Sequence, residues 1–304
     1  MNTETTLQFE PIGLTHAPQI GALAEAAGLR NCNYSVANLL SWSSMFGTSV
    51  AALEGGLVVR YGLEPNNEHT YILLPHDATE ASLSAIAAAL RQAVSGQLRI
   101  AALEGRQAQV VAAAVGHGAE LVACRDRQDY IYSRAELEQL HGRAFRDKRN
   151  HVNKFRSLYP DYTFAPLTTG MLAECWQVEQ HWRHAVPSHT SASTLAEMRS
   201  MRFVFEHWDE LPMIGGAIMV DGRMVAFSYG CPINSTLVDV CVEKADTAYE
   251  GAFNIVNLEF VRHLPEQFEL VNREEDMGLE GLRKAKMSYN PVELLDYYYV
   301  CHEL

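Results

Sequence analysis

The sequence lacks the short motifs that mark the best-known nucleotide-binding and hydrolytic sites. Its 304 residues contain no GxGxxG, no Walker A sequence and no GxSxG. Residues 47–51 (GTSVA) miss the last of these patterns only at the final glycine. These absences argue against the nucleotide-binding folds built on such loops and against a serine hydrolase.

Metal-binding patterns are also scarce. The six cysteines are scattered without a CxxC pair, as in proteins of a reducing cytoplasm. His181, His184 and His189 have spacings at which side chains could share a ligand set, but no HExxH motif accompanies them. A polar helix end explains the three histidines better, and we expect no metal.

Excess positive charge and long apolar runs are missing as well. The formal net charge of -13 repels nucleic acid and anionic lipid unless a local basic patch intervenes. No window of 18 apolar residues occurs, and the first ten residues lack the basic and apolar blocks of a signal peptide. We therefore expect a soluble cytoplasmic protein with no stable membrane association.

Apolar periodicity predicts an α+β (mixed α/β) chain of two tandem domains, and the 48% hydrophobic content can supply a core in each. Residues 70–90 and 237–260 both read as a strand, a turn with Asp and Ala, and a helix. Each half then ends in a strand beginning Glu-Leu, which suggests an internal duplication. We place the domains at residues 1–132 and 133–304, the second carrying the candidate site.

Three local predictions follow from the sequence of the second half. Ser133 and Glu136 form a capping box that opens one helix running to Tyr159. Asp221-Gly222 predicts a two-residue type I′ hairpin between two strands. Residues 292–300 are predicted to form a single last strand.

A basic segment interrupts the acidic chain at residues 143–156, which hold six basic residues and one acid. On a helix Arg149, Asn153 and Arg156 share one face, which could bind a phosphate or carboxylate. The alternative is an ordinary solvated helix side.

Carboxylates cluster after a strand that reads as buried, in the run Asn272-Arg273-Glu274-Glu275-Asp276. Such a cluster can take a proton from an amine nucleophile, since mutual repulsion raises the proton affinity of its members, and we choose Glu274 and Glu275 as candidate bases. The alternative is that the acids cap the helix starting at Leu279 or pair with Arg283 and Lys284.

Tyr289 follows the last helix and precedes Asn-Pro. Its hydroxyl could protonate a leaving group or orient a carbonyl, although buried tyrosines are more often packing residues. We retain Tyr289 as the candidate acid.

These motifs together resemble a bacterial family named for its similarity to the C-terminal domain of phosphatidylglycerol lysyltransferase. The first half matches weakly, best at Cys32, Tyr34, Ser35, Asn38-Leu39 and Trp42. The second half carries the specific motifs, which are Lys148-Arg149-Asn150-His151, Asn153-Lys154-Phe155, Gly215-Gly216, Glu243-Lys244-Ala245-Asp246, Asn272-Arg273-Glu274-Glu275-Asp276 and Gly281-Leu282-Arg283-Lys284.

The resemblance implies two tandem GNAT-like (acyl-CoA N-acyltransferase) domains and transfer of an acyl or aminoacyl group to an amine. In that fold a glycine-rich turn holds the pyrophosphate of coenzyme A. Here the matching residues 248–253 keep Gly251 but lack the basic residue. Acyl-CoA is therefore a candidate cofactor with a degenerate turn. The candidate substrate- or cofactor-binding residues are Arg149, Asn150, Asn153, Glu243, Lys244, Gly251, Asn272, Arg273, Arg283 and Lys284.

Two functions stay open from the sequence. One is an acyl- or aminoacyltransferase acting on a small molecule or peptide, with Glu274 or Glu275 as base and Tyr289 as acid. The other is a non-catalytic GNAT-like protein that binds a small anionic ligand through Arg149, Asn153 and Arg273. We do not expect tRNA as a partner, because the single basic helix is too short for a long nucleic-acid track.

Overall fold

The chain divides into two compact units. The computed structural model describes residues 7–62, 69–185 and 192–303, without the side chains of residues 192 and 193. The first unit comprises Met1–Asp129, Glu275–Gly278 and Leu294–Leu304, and the second comprises Tyr130–Glu274 and Leu279–Glu293.

The strands, in chain order, are β1 (Glu10–Pro11), β2 (Ser49–Leu53), β3 (Gly56–Tyr61), β4 (Thr70–Pro75), β5 (Gln97–Leu103), β6 (Glu120–Ala123), β7 (Asp129–Ser133), β8 (Thr163–Pro166), β9 (Ile214–Val220), β10 (Arg223–Asn234), β11 (Leu237–Ala245), β12 (Leu270–Asn272), β13 (Glu293–Leu295) and β14 (Tyr298–Glu303). The α-helices are α1 (Ala17–Ala26), α2 (Val36–Ser41), α3 (Ser43–Phe46), α4 (Glu80–Ala93), α5 (Gly105–Val115), α6 (Arg134–Gln139), α7 (Arg146–Leu158), α8 (Leu172–Ala185), α9 (Ala192–Glu206), α10 (Ala252–Arg262) and α11 (Glu280–Met287). Short 3-10 turns include Cys32–Tyr34 and Arg125–Arg127. The described structure is therefore mixed α and β, as the sequence predicts.

The first unit is built on a sheet of seven strands in the order β1-β2-β3-β4-β5-β14-β6. β4 and β5 are parallel, and the connection between them contains α4. Leu83 and Ile86 of α4 and Val111 of α5 pack in the buried core of this sheet together with Val300 of β14. Apolar residues at helical spacing in α4 and α5 thus cover the alternating apolar face of the strands.

The second unit has a seven-stranded sheet in the order β13-β7-β12-β11-β10-β9-β8. β11 and β12 are parallel, and the connection between them contains α10. An aromatic core that includes Phe205, Trp208, Phe227 and Tyr229 joins α9 to β10. α10 follows β11 in the chain and is buried along most of its length. This packing holds the carboxyl end of β11 in position.

The predicted hairpin is confirmed. β9 and β10 pair as antiparallel neighbours joined by Asp221 and Gly222, whose φ values are +50° and +75°. A type I′ turn requires positive φ at both central residues, which Asp and Gly tolerate better than other residues.

The single helix predicted from Ser133 to Tyr159 is interrupted. Ser133 caps α6 as expected by accepting a hydrogen bond from the Glu136 amide, but Leu140 takes a φ of +50° and ends that helix. α7 begins six residues later, at Arg146. Periodicity continues through the break because both helices bury apolar residues, so the pattern alone does not reveal it.

The single last strand predicted at residues 292–300 is also divided. β13 joins the second sheet, whereas β14 pairs with β5 and β6 of the first sheet. Residues 294–304 therefore belong with the first unit, which corrects their assignment to a C-terminal domain of residues 133–304. The reason is non-local, because β14 completes a sheet whose other strands all lie before residue 124.

Helices capable of crossing a bilayer are not found within the described residues. None of the helices there is both long enough and apolar enough.

Candidate functional site

The candidate site lies in the second unit, at the point where β11 and β12 stop pairing with each other. The two strands are paired only from Leu237 to Asp239 on β11, and β12 ends at Asn272. The Asn272 side chain accepts a hydrogen bond from the Glu274 amide at 2.7 Å, and Glu274 takes a φ of +59°. This turn carries the chain away from β11, so the carboxyl half of β11 has no β12 partner beside it.

A carboxylate held at both oxygens lies on that half of β11. Glu243 Oε1 is 3.2 Å from Arg273 Nη2, and Glu243 Oε2 accepts a hydrogen bond of 3.0 Å from Asn257 Nδ2. Arg273 directly follows β12, whereas Asn257 lies on α10 and is only 2% exposed. Burial strengthens such charge-assisted contacts, so the orientation of Glu243 is well fixed.

Tyr289 completes this group from the end of α11. Its hydroxyl accepts a hydrogen bond of 2.9 Å from Asn254 Nδ2, and the Arg273 guanidinium lies 4.6 Å from its ring centroid. Burial raises the pKa of Tyr289 to about 12, with Arg273 and Asn254 opposing the rise. The phenol is therefore protonated at neutral pH and can act as a proton donor. We call Tyr289, Asn254, Asn257, Glu243 and Arg273 the Tyr289 cluster.

Two further side chains border the Tyr289 cluster. Lys148 Nζ of α7 lies 3.9 Å from the Tyr289 ring centroid, and burial together with the positive charge of Arg273 lowers the pKa of Lys148. Tyr132 of β7 lies beneath the Arg273 guanidinium, 5.7 Å from it, and donates its hydroxyl proton to the Lys286 carbonyl. The cluster is thus bordered by a second aromatic ring, that of Tyr132, and a second cation, that of Lys148.

Two polar atoms of the Tyr289 cluster are buried without a hydrogen-bond partner among the described residues. They are Arg273 Nη1, a donor, and Asn257 Oδ1, an acceptor. Buried polar atoms are normally satisfied, so an unsatisfied pair in one cluster indicates a place for a ligand. That ligand would present one acceptor and one donor.

Comparison with protein families identifies the chain. Residues 25–301 match the family model described as phosphatidylglycerol lysyltransferase, C-terminal. The chain belongs to this family. No curated protein matches it significantly.

Solved structures share the architecture. A conserved protein of unknown function from Bacteroides thetaiotaomicron is 34% identical, with a TM-score of 0.88 over 97% of this chain and 99% of that one. L-PGS from Bacillus licheniformis is 14% identical, with a TM-score of 0.62 over 96% and 92% of the two chains. FemX is 9% identical, with a TM-score of 0.60 over 96% and 97%. The last two likenesses show the fold alone.

The two acids predicted as bases are placed differently from each other in this member of the phosphatidylglycerol lysyltransferase C-terminal family. Glu275 lies in the first unit, where its Oε1 is 2.8 Å from Arg127 Nη1. Glu274 lies in the second unit, and its charge adds to burial in raising the pKa of Cys241. Their proposed roles as bases stay predictions.

The two arginines on the predicted anion-binding face of α7 contact other groups of the protein. Arg149 donates hydrogen bonds to the carbonyls of Leu140 and Gly142, which stabilises the break after α6. Arg156 pairs with Glu259 at 3.0 Å. These contacts favour a structural role for both arginines.

The remaining predicted binding residues fall into buried and exposed groups. Lys244 is buried, bonds Glu197 at 2.8 Å and lies over the Trp182 ring. Lys284 is exposed and pairs with Glu280 one helical turn away. Asn150 and Asn153 are exposed, Arg283 is half-buried and Asn272 is fully buried.

Gly251 is the N-cap residue of α10 and the last residue of the turn that precedes it, with a φ of +87°. A Cβ at this position would lie 2.6 Å from the His151 carbonyl oxygen of α7. The close approach that glycine permits is therefore used here by the backbone of α7.

Sequence reasoning missed Asn254 and Asn257. Both lie on α10, whose buried residues are mostly apolar, and their spacing of three residues places them on one face. Two amides on the buried face of a helix are the signal that could have revealed them.

The structure describes the histidine group only in part. His189 lies outside the described residues, and His181 pairs with Asp246 at 3.4 Å.

Proposed function

We propose that the protein transfers an aminoacyl or acyl group to an amine of a small molecule or peptide at the Tyr289 cluster. The observation that carries this proposal is a buried, protonated tyrosine beside a charged arginine, in a member of a family named for a lysyltransferase. We propose in addition that each unit is a GNAT-like fold, because each sheet has a parallel pair joined through one helix.

In the proposed step the acceptor amine attacks the carbonyl carbon of an ester or thioester. The new C–N bond forms as the C–O or C–S bond breaks. Tyr289 gives its phenolic proton to the departing oxygen or sulfur, and Glu243 takes the proton that the amine loses. Glu243 then returns a proton to the Tyr289 phenolate through solvent, which restores both groups.

Glu243 is favoured as the base by its contacts with the Tyr289 cluster. It bonds Arg273, whose guanidinium covers the Tyr289 ring. The Glu275 carboxylate instead pairs with Arg127 in the first unit.

An aminoacyl donor fits the unsatisfied atoms better than a plain acyl donor. Arg273 Nη1 can donate to the reacting carbonyl oxygen, and Asn257 Oδ1 can accept from an ammonium group. A plain acyl group offers only the first of these contacts. The Glu243 carboxylate adds a negative charge on the side where the ammonium group would lie.

Coenzyme A is less well supported as the carrier of the group. The turn at Gly251 is packed against the His151 carbonyl, so a diphosphate binding there would compete with α7. The carrier therefore belongs among the variables of the experiment.

The proposal is tested by incubating purified protein with radiolabelled acyl-CoA and aminoacyl-tRNA donors and a panel of amines and short peptides. Transfer of label to an amine, lost in Tyr289→Phe and Glu243→Gln, is the expected result. Absence of transfer from every donor, with protein that still binds a panel member in a thermal-shift assay, would instead support the second function below.

The second candidate is a non-catalytic protein that binds a small ligand at the same cluster. It is favoured by one observation, which is that both oxygens of Glu243 are already held by Arg273 and Asn257. A carboxylate fixed in this way suits ligand recognition as well as proton transfer. Ligand-induced stabilisation without turnover would identify this function.

A further inference from the structure

Three potential metal ligands from distant parts of the chain meet in the first unit. They are the Cys32 thiol in the 3-10 turn Cys32–Tyr34, the Asp129 carboxylate that opens β7, and the Glu275 carboxylate of the segment Glu275–Gly278. One ligand atom from each residue lies within 4.8 Å of the other two. This group is separate from the Tyr289 cluster, which belongs to the second unit.

The two sulfur-to-oxygen separations within the group are close to those of a tetrahedral site. Cys32 Sγ is 3.3 Å from Asp129 Oδ1 and 3.6 Å from Glu275 Oε2. Zinc binds thiolate sulfur at about 2.3 Å and carboxylate oxygen at about 2.0–2.2 Å, so a tetrahedral sulfur-to-oxygen edge is about 3.5–3.6 Å. A cation can therefore enter between the three atoms with only small side-chain movements.

Each carboxylate is oriented through its second oxygen. Asp129 Oδ2 accepts a hydrogen bond of 2.7 Å from the Cys32 amide, and Glu275 Oε1 is held by Arg127 at 2.8 Å. The oxygens that face Cys32 Sγ are thereby fixed in position. Metal-binding carboxylates are commonly oriented in this way by groups outside the ligand set.

Burial and charge also favour a cation. Cys32 is 3% exposed and Asp129 is fully buried. Arg127 pairs with Glu275, and a divalent ion would add two positive charges beside the buried Cys32 thiolate and Asp129 carboxylate. A buried thiolate is costly without a positive charge next to it, so a bound cation favours the ionised form of Cys32.

A buried donor next to Cys32 supplies an independent indication. Asn31 is 1% exposed, and its Nδ2 has no hydrogen-bond partner within the part of the chain that the structure describes. Three protein ligands leave a fourth tetrahedral position for water or hydroxide, whose oxygen could accept from this amide.

We infer that Cys32, Asp129 and Glu275 bind one zinc ion, with a water molecule as the fourth ligand. The thiolate distinguishes zinc from magnesium and calcium, which prefer oxygen ligands alone. Glu275 is half-buried, whereas Cys32 and Asp129 are buried, so an ion would reach the group from the side of Glu275.

The experiment uses the full-length protein, stripped with a chelator and titrated with Co²⁺. We expect a thiolate-to-cobalt charge-transfer band in the near ultraviolet that saturates at one equivalent and disappears when Zn²⁺ is added. Metal analysis after dialysis against Zn²⁺ is expected to give one ion per chain. Absence of the band and of retained zinc in the wild-type protein overturns the inference.

Matched variants locate the ion. Cys32→Ser and Glu275→Gln are expected to abolish the band, and Asp129→Asn, which keeps an acceptor for the Cys32 amide, is expected to weaken Co²⁺ binding at least about tenfold. Cys301→Ser on β14 is the control and should leave the band unchanged. A band that persists in Cys32→Ser, or vanishes in Cys301→Ser, places the ion elsewhere and also overturns the inference.

Discussion

At the scale of single residues, two tyrosines of the second unit show how surroundings set a role. Tyr289 accepts a hydrogen bond from Asn254 beside the Arg273 guanidinium. Tyr162 donates to Glu259 while accepting from Arg156, within an ion pair that joins α7 to α10. Both hydroxyls are hydrogen-bonded, but only Tyr289 belongs to the proposed site.

We expect Tyr289→Phe to lower kcat by about 10²–10⁴-fold in the transfer assay, because general acid catalysis contributes that much. Loss of the Asn254 contact should cost about 1 kcal/mol of unfolding free energy. Steady-state kinetics and urea unfolding measure the two effects. Tyr162→Phe is the matched control, with a similar loss of stability and unchanged kcat; equal loss of activity in both variants would show that Tyr289 acts through stability alone.

The residues of the site were predicted from the sequence only in part. Tyr289, Arg273 and Glu243 were chosen from motifs, and the structure brings these three together. Arg149 was chosen as an anion ligand, but carbonyl groups exposed by the end of α6 bind its guanidinium. The sequence shows which side chains could bind a ligand, whereas the fold determines which other groups of the protein bind those side chains first.

At the scale of elements, the junction between β11 and α10 depends on close backbone packing. We expect Gly251→Ala to lower the unfolding free energy by about 2–5 kcal/mol. About 1–2 kcal/mol comes from a left-handed backbone that an L-residue resists, and about 1–3 kcal/mol from the contact with the His151 carbonyl. Urea unfolding measures the loss.

The control for this prediction is Gly222→Ala in the hairpin turn. Gly222 has a φ of +75°, but a Cβ there would meet nothing within 4 Å. Only the backbone component, about 1–2 kcal/mol, should remain. Equal losses in the two variants would mean that α7 yields readily at Gly251.

Elements specified by neighbouring residues were predicted well, and those completed by distant residues were not. The Asp221-Gly222 turn is set by two residues, and it formed as expected. The division of residues 292–300 depends on β5 and β6, which no local pattern near the C-terminus reports. Apolar alternation specifies a strand but not the sheet that it joins.

At the scale of the whole molecule, the first sheet depends on the end of the chain. β14 lies between β5 and β6, and its Val300 is fully buried in the core of the first unit. We expect deletion of residues 296–304 to abolish amide-exchange protection in β6 and to weaken it in β5, because β6 loses its sheet neighbour and β5 keeps only β4. Hydrogen exchange with mass spectrometry tests this, and retained protection in both strands would contradict it.

Buried tyrosines should make the protein sensitive to alkali. Burial raises the pKa of Tyr289 to about 12, and it also raises the pKa values of other enclosed tyrosines, which are Tyr34, Tyr61, Tyr132, Tyr229 and Tyr297. The folded chain therefore holds these protons to higher pH than the unfolded chain, whose tyrosines ionise near pH 10. Because the native state binds more protons above that pH, stability must fall as the pH rises further.

We expect the unfolding free energy, measured by urea titration, to decline progressively above about pH 10. Each proton that the folded chain retains steepens the fall of the unfolding free energy by up to about 1.4 kcal/mol per pH unit. Tyr289→Phe removes one such proton, so the slope between about pH 10 and 12 should become shallower by at most about 1.4 kcal/mol per pH unit. Tyrosinate absorbance followed in the same samples should rise together with unfolding. Ionisation of most tyrosines in protein that remains folded would contradict the burial on which the proposed acid at Tyr289 depends.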